Sequence, residues 1–314
     1  MARFVREVMG KGADISGKGT GILIRGTSYW CVRSIASVAV TRMRIAATLT
    51  AALVMASAAS AQFQRRGGAR FGYGPRVASN PAYDGAWTFC RIIFRNAPDG
   101  DGNGWFVDWP RADENLSFRF SELTRTSVSR APDGSFNHVA IQLTDQETLS
   151  HCPFIMMTEP GGAYFDDAEA AALRVYLQKG GFLWADDFWG EYAWTHWEHE
   201  IRKALASSDY PLIDVPLDHQ LFHVLYDVRE IPQIPSIDFW YGTGGRTSER
   251  GGDSAVPHVR AITDRSDHIL VVMTHNTDFG DAFEREGDSR EYFERFAGSG
   301  YAFGVDTLLY GLTH

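Results

Sequence analysis

Short apolar runs alternate along the chain with stretches in which apolar residues recur at helical spacing. Apolar runs rich in β-branched and aromatic residues predict strands at 88–94, 138–143, 154–158, 182–185 and 268–274. The helical spacing predicts helices at 116–123, 166–178, 194–205 and 292–312. Strands that are apolar on both faces and alternate with amphipathic helices are typical of a parallel sheet covered on both sides. The pattern therefore predicts a three-layer α/β fold, with a mostly parallel sheet and helices on both faces.

The start of the chain follows a different pattern. Met43 and Arg44 precede an apolar run at 45–56, and the small residues of Ala-Ser-Ala at 59–61 follow it. A charged start, a short apolar run and a small-x-small site form the layout of a secretory signal peptide. The run is shorter than the ~18 apolar residues that a membrane span needs. We therefore expect cleavage after Ala61, an exported protein that is periplasmic or secreted, and no membrane span in the mature chain.

These features predict the domain organisation. Residues 1–42 precede a complete signal peptide, so we interpret them as a spurious upstream extension. Residues 43–61 form the signal peptide, and the polar, Gly- and Arg-rich stretch at 62–83 is expected to be a flexible linker. A single α/β domain is predicted for residues 84–314.

Charge narrows the range of partners. The chain has 30 Lys and Arg against 39 Asp and Glu, a net charge of −9. Eight of the basic residues and two of the acidic ones lie in residues 1–61, so residues 62–314 carry a net charge of −15. An acidic body repels phosphate backbones, which argues against nucleic acid as a partner. A small molecule, a saccharide or an envelope protein stays possible.

Polar side chains follow three of the predicted strands. They are Glu159, then Asp186 and Asp187, and then His275, Asn276 and Asp278. Ligands of parallel sheets bind beyond the carboxyl ends of the strands, so we expect these residues to converge on a ligand. Adjacent carboxylates can hold a hard cation, carry out acid/base chemistry or bind sugar hydroxyls. The alternative is that Asp and Asn cap the helices that follow, because both are good N-cap residues.

A second candidate is a calcium loop. Positions 1, 3 and 5 of such a loop are matched by Asp99, Asp101 and Asn103, and Asp108 lies one residue beyond the ligand position 9. Gly104 supplies the sharp turn at position 6, but Pro110, followed by Arg111, stands at position 12, where a bidentate Glu is expected. Clusters of Asp, Gly and Asn also form ordinary turns without an ion. The motif therefore leaves two alternatives, a calcium site and a plain turn.

The cysteines of the predicted domain are Cys90 and Cys152, and both adjoin apolar runs. Export would permit a disulfide between them, but a domain of this size does not need one. Buried cysteines of this kind are commonly free, so free thiols are the favoured expectation and a disulfide is the alternative.

Four motifs support a family resemblance. They are Leu173-Arg174-x-Tyr176-Leu177-x-x-Gly180-Gly181-Phe182-Leu183-x-x-Asp186-Asp187, Asp218-His219-x-Leu221-Phe222, His275-Asn276-Thr277-Asp278-Phe279-Gly280-Asp281 and Gly300-Tyr301-x-x-Gly304-Val305-x-x-Leu308-x-Tyr310. With them, residues 88–314 resemble the bacterial domain-of-unknown-function family 4159. That family is similar to class I glutamine-amidotransferase-like domains, which include trehalose-utilisation-like proteins. The resemblance implies an amidotransferase-like or flavodoxin-like sheet, without implying a reaction.

The chain departs from true amidotransferases, which place a Cys nucleophile at a Gly-flanked elbow between a strand and a helix. Neither cysteine of the domain has that setting, and no Gly-x-Ser-x-Gly motif occurs. We therefore expect a non-catalytic binding or interaction domain. The alternative is a hydrolase or lyase acting on a glycan-like substrate. It would use Asp186 and Asp187 with His219 or His275, with or without a divalent cation such as Ca²⁺ or Mg²⁺.

Overall fold

The computed structural model describes residues 74, 75, 77 and 79–314. The predicted upstream extension, the signal peptide and most of the linker lie outside the described residues. In chain order the strands are β1 (Phe89–Ile92), β2 (Arg95–Asn96), β3 (His138–Ile141), β4 (Phe154–Thr158), β5 (Ala163–Tyr164), β6 (Phe182–Phe188), β7 (Leu212–Asp214), β8 (His258–Thr263) and β9 (Ile269–His275). The helices are α1 (Arg111–Leu123), α2 (Gln146–Leu149), α3 (Asp167–Gln178), α4 (Gly190–Ala204), α5 (Ile237–Gly242), α6 (Phe279–Glu284), α7 (Arg290–Tyr292) and α8 (Gly298–Thr313).

Seven strands form the main sheet in the order β3-β1-β4-β6-β9-β8-β7. Strands β3, β1, β4, β6 and β9 pair in parallel with their neighbours. Strands β8 and β7 are added in antiparallel pairing and form one edge of the sheet. A separate antiparallel pair joins β2 to β5. The predicted mostly parallel sheet is therefore confirmed, and the antiparallel edge is an addition to it. The mixed polar and apolar composition of β7 and β8 gave no strong strand pattern.

Two hydrophobic clusters flank the sheet because alternate residues of each strand point to opposite faces. In β4, Phe154 and Met156 belong to one cluster, and Ile155 and Met157 belong to the other. Helices α3 and α4 pack on the Ile155 face, and helices α1, α6 and α8 pack on the Phe154 face. The structure thus has the three layers that the sequence predicts.

Helix α3 shows why the helix boundaries could be read from the sequence. The Asp166 carboxylate accepts the backbone N–H of Glu169 at 2.9 Å, and the Glu169 carboxylate accepts the backbone N–H of Asp166 at 2.9 Å. This reciprocal capping fixes the first turn. After the last turn, Gly180 adopts a φ of 93°, a left-handed conformation that glycine reaches at little cost. The predicted helix at 292–312 is also present, with a π-helical segment at Phe293–Ala297 between α7 and α8.

Cys90 and Cys152 form a disulfide, which corrects the expectation of free thiols. Cys90 lies in β1, and Cys152 lies just before β4, the neighbouring parallel strand. This neighbourhood brings their Cα atoms to 6.0 Å, within the reach of a disulfide. Both side chains are buried, as expected.

The packed domain extends upstream of the predicted boundary at residue 84. The side-chain amide of Asn80 donates to the Ala140 carbonyl and accepts the Ala140 N–H, both at 3.1 Å. The Tyr83 ring stacks on His151 with centroids 4.2 Å apart. Part of the predicted linker is therefore attached to the edge of the sheet. Within the described part of the chain, no helix combines the length and apolarity that crossing a membrane requires.

Candidate functional site

Three neighbouring strands of the sheet end at or beside a non-glycine residue whose backbone has a left-handed conformation. Glu159 follows β4 with a φ of 51°, Asp187 lies near the end of β6 with a φ of 59°, and Asn276 follows β9 with a φ of 63°. Left-handed conformations are uncommon for residues other than glycine, and they tend to cluster at functional sites. The polar side chains predicted to follow these strands therefore lie along one edge of the sheet.

Asp187 owes its orientation to an irregularity in β6. The register between β6 and β9 shifts between Ala185 and Phe188, so the regular alternation of side chains is interrupted there. The strand also continues past Ala185, where the sequence predicted its end, and Asp186 still pairs with Thr158 of β4. Asp187 is thereby turned toward carboxylates that come from other segments.

Asp108, Asp187 and Asp278 form the centre of the site. One carboxylate oxygen from each residue lies within 4.8 Å of the other two. Asp108 precedes α1 and has a φ of 62°, while Asp278 is the N-cap of α6 and accepts the Asp281 N–H at 2.7 Å. The three residues are only 8%, 7% and 3% exposed. We call this group the aspartate triad.

One oxygen of the triad lacks a partner. Asp108 Oδ2 is buried and has no hydrogen-bond partner among the described residues. It lies so close to α6 that a Cβ on Gly280 would be 2.2 Å from it. Glycine at position 280 is therefore what leaves room for the Asp108 carboxylate. A buried carboxylate oxygen without a donor is costly unless a proton or a cation neutralises it.

The electrostatics of the triad reflect this burial. Removal from water raises the pKa values of Asp108, Asp187 and Asp278 well above the usual range for Asp. Neighbouring carboxylates raise these pKa values further, because like charges disfavour ionisation. The triad therefore binds protons or another positive charge strongly at neutral pH.

Asp186 has a structural role beside the triad. Its Oδ2 accepts the backbone N–H groups of Phe279 and Gly280, both at 2.9 Å, and its Oδ1 accepts the Thr274 hydroxyl. Complete burial raises the pKa of Asp186 to about 7, although these hydrogen bonds act in the opposite direction. Asp186 thus anchors the start of α6, the helix that supplies Asp278.

Glu159 positions the loop that was considered as a calcium loop. Its carboxylate accepts the backbone N–H of Gly104 at 2.9 Å, the backbone N–H of Asn103 and the Asn103 side-chain amide at 3.1 Å. The side chain is partly buried, and burial raises its pKa to about 7. The Glu159 carboxylate is therefore hydrogen-bonded to this loop and is not a member of the triad.

The residues of the predicted calcium loop form hydrogen bonds with different partners. Both Asp101 carboxylate oxygens accept from Arg250 at 2.9 Å, and Asn103 donates to Glu159. The carbonyl oxygen of Asp99 accepts the Tyr192 hydroxyl. Of these four residues, Asp108 alone belongs to groups with metal-ligand geometry among the described residues, and one of these groups is the aspartate triad.

His275 and Asn276 hold the start of α4. His275 Nε2 lies 3.0 Å from the Gly190 carbonyl and Nδ1 lies 3.2 Å from an Arg260 guanidinium nitrogen, which fits a neutral ring protonated at Nε2. Burial lowers the pKa of His275 to about 4, in agreement with a neutral ring. Asn276 accepts the Gly190 N–H and donates to the Val256 carbonyl, both at 2.8 Å.

His219 is not brought into this group of contacts. It accepts the Leu221 N–H at 3.1 Å as the cap of the 3₁₀ turn at Gln220–Phe222, and its ring lies 5.7 Å from that of Tyr310. Partial burial lowers its pKa. Of the residues predicted from the strand ends, the triad thus contains Asp187 and Asp278.

Arg91 is a residue of the site that the sequence analysis missed. It is completely buried, pairs with the equally buried Asp113, and donates to the Trp105 and Val107 carbonyls at 3.3 and 3.1 Å. These bonds fix the segment that leads into Asp108. An arginine inside the apolar run of β1 was the signal that could have identified it.

Helix α6 supplies two further acids that were also missed. Asp281 and Glu284 form a second group with Asp108, in which one carboxylate oxygen of each lies within 4.8 Å of the others. Burial raises the pKa of Asp281 to about 6. The spacing of Asp278, Asp281 and Glu284, three residues apart on a helix, was a signal visible in the sequence.

Comparison with known proteins adds a family match. The model of the family described as "Domain of unknown function (DUF4159)" matches residues 91–312, which include the triad and both acidic residues of α6. A search of curated proteins finds no match.

Proposed function

Since the chain belongs to the DUF4159 family, whose description names no activity, we propose a function from the site itself. The protein is an exported binding domain that holds a hard divalent cation through Asp108, Asp187 and Asp278. The observation that carries the proposal is the aspartate triad, in which three buried carboxylates from separate segments meet around the unpartnered Oδ2 of Asp108.

The geometry of the triad suits such an ion. Ca²⁺ binds oxygen ligands at about 2.3–2.6 Å and Mg²⁺ at about 2.0–2.1 Å, so ligand oxygens of one ion lie within about 5 Å of one another. The three carboxylate oxygens meet this condition, since they lie within 4.8 Å of one another. An all-oxygen set of ligands favours Ca²⁺, Mg²⁺ or Mn²⁺ over softer metals. The cation would also remove the repulsion between buried carboxylates.

The burial of the triad favours a binding role over hydrolysis of a glycan. Side chains that are only 3–8% exposed offer little surface for a sugar ring to contact. Cys90 and Cys152 are joined in a disulfide, so neither supplies the thiolate that an amidotransferase needs. The three-layer α/β fold is compatible with an amidotransferase-like ancestry. The proposed domain has kept such a fold and uses its strand ends to bind an ion.

Export is supported by two independent features. The pattern at 43–61 has the layout of a signal peptide. The Cys90–Cys152 disulfide fits the oxidising environment outside the cytoplasm, where such bonds form and persist. The compartment proposed for the protein is therefore the periplasm or the cell exterior.

The test is a calorimetric titration of the purified full-length chain with Ca²⁺ and with Mg²⁺ after removal of metals by EDTA. Wild-type protein should bind one of these ions saturably, and Asp187→Asn should lower the affinity at least tenfold. Asparagine tolerates the left-handed conformation and can still accept the Trp189 Nε1–H, which Asp187 Oδ1 accepts at 2.9 Å.

A matched control is available in Asp267→Asn. Asp267 has a φ of 65°, close to that of Asp187, but it lies in an exposed turn between β8 and β9. This variant should bind the ion like the wild type. Absence of saturable binding to the wild type, or equal binding by Asp187→Asn, would overturn the proposed function.

A further inference from the structure

Helix α6 directs a row of carboxylates toward Asp108. Asp278, Asp281 and Glu284 recur every three residues, whereas Phe279, Ala282 and Phe283 are packed in the hydrophobic core. Asp278 and Asp281 are almost fully buried, so the row faces the interior of the site rather than solvent. Acidic residues on a solvated helix face would be exposed.

The carboxylates of this row belong to two groups of potential metal ligands, and Asp108 is a member of both groups. In the first group, one carboxylate oxygen from each of Asp108, Asp187 and Asp278 lies within 4.8 Å of the other two. In the second group, the same holds for Asp108, Asp281 and Glu284. A carboxylate has two oxygens, so it can join two cations. Asp108 is more than nine-tenths buried, and its Oδ2 has no hydrogen-bond partner in the part of the chain that the structure describes. This unpartnered oxygen is an observation separate from the acidic cluster, and it points to a bound positive charge.

We propose that the site holds two divalent cations bridged by the Asp108 carboxylate. The first is the cation of the proposed function, bound by Asp187 and Asp278, and the second is bound by Asp281 and Glu284. This inference rests on the proposed function and adds a second metal position to it. Carboxylate-bridged pairs of ions are typically about 3.5–4 Å apart, a separation that a single bridging carboxylate can span.

The charges around the two positions differ. Arg285 Nε lies 3.3 Å from Asp281 Oδ1 and 2.7 Å from Glu284 Oε2, so the second position has a positive side chain beside it. Arg91, the buried cation whose charge acts on Asp108, is paired with Asp113. Arg285 is about one-third exposed and can turn toward solvent when an ion enters. The second ion therefore binds more weakly than the first, because it must displace Arg285.

The experiment counts bound ions and tests whether they are bridged. Metal-free full-length protein is titrated with Mn²⁺, bound metal is measured by elemental analysis, and electron paramagnetic resonance spectra are recorded. The wild type should bind two Mn²⁺ per chain and show an exchange-coupled spectrum. Glu284→Gln should bind one Mn²⁺ and show the spectrum of an isolated ion.

A surface variant serves as the control. Glu294→Gln removes an exposed carboxylate that pairs with Arg290, and it should still bind two Mn²⁺. One Mn²⁺ in the wild type, or two in Glu284→Gln, would overturn the bridged pair while leaving the proposed function intact. No bound Mn²⁺ in the wild type, with no binding of Ca²⁺ or Mg²⁺ either, would overturn both.

Discussion

At the scale of single residues, adjacent positions have separate roles. Asp186 is saturated by the N–H groups of Phe279 and Gly280 and by the Thr274 hydroxyl, whereas Asp187 receives one bond, from Trp189. Asp186 therefore maintains the position of α6, and Asp187 is available to a ligand. The sequence presents the two as an equivalent pair.

This division predicts opposite effects of the same substitution. Asp186→Asn replaces one accepting oxygen by an NH₂ group that faces a donor, so it should cost about 1–3 kcal/mol of unfolding free energy. Asp187→Asn should leave the stability of the metal-free protein nearly unchanged or raise it, because it removes a buried charge. Denaturant unfolding in EDTA measures both values. A more destabilised Asp187→Asn than Asp186→Asn would contradict the assigned roles.

Gly280 supports a second prediction at this scale. Alanine normally stabilises a helix relative to glycine by up to about 1 kcal/mol, but a Cβ at position 280 would lie 2.2 Å from Asp108 Oδ2. Gly280→Ala should therefore displace the Asp108 carboxylate and weaken cation binding at least tenfold in calorimetry. Gly298→Ala is the matched control, since its Cβ would meet no atom within 4 Å. Wild-type affinity in Gly280→Ala would show that the position of Asp108 does not matter.

At the scale of elements, the strand ends and the disulfide fix the framework on which the site is built. Strands β4, β6 and β9 are neighbours, and each ends close to a left-handed residue. The Cys90–Cys152 bridge ties β1 to the start of β4 across a separation of 62 residues. Strand β6 carries Asp187 and β9 leads to Asp278, so the strand ends position two of the three triad residues, while the bridge stabilises the sheet beside them.

The bridge has a measurable consequence for stability. Closing a loop of this length restricts the unfolded chain, so its loss should cost about 2–4 kcal/mol of unfolding free energy. We expect this loss in the double variant Cys90→Ala, Cys152→Ala, measured by urea unfolding, with cation affinity retained. Detection of two reactive thiols from these residues in denatured, unreduced wild-type protein would contradict the bridge.

At the scale of the whole molecule, the hydrophobic pattern predicted the layers, because each strand of the parallel core is apolar on both faces. Asp187 and Asp278 were also accessible to prediction, since they follow strands that end at one edge. The sequence did not reveal that Asp108 joins them, because this contact links segments about 80 and 170 residues apart along the chain. For the same reason the disulfide, Arg91 and the inward direction of Asp281 and Glu284 were missed.

The buried acids also determine how the whole molecule responds to pH. The pKa values of Asp186 and Glu159 are raised to about 7 and that of Asp281 to about 6, and those of the triad are raised too. The folded state therefore binds protons that the unfolded state releases near pH 4, and stability falls as pH rises from about 4 to about 7. Lowered pKa values of His219, His258 and His275 act in the opposite sense, but these histidines are fewer than the acids.

We accordingly predict that the melting temperature in EDTA falls by about 5 °C or more between pH 5 and pH 7.5. Saturating Ca²⁺ or Mg²⁺ should remove most of this decline, because the bound ion replaces the protons. Differential scanning calorimetry across this range provides the measurement. A melting temperature that rises with pH in EDTA would contradict the account of the buried acids.

Anomalous X-ray diffraction from crystals soaked in Mn²⁺ locates a bound cation relative to the three carboxylates of the triad. We expect an anomalous peak within about 2.5 Å of oxygens from Asp108, Asp187 and Asp278. A peak in the loop of Asp99, Asp101 and Asn103 with none at the triad, or no peak at either place, would contradict this expectation.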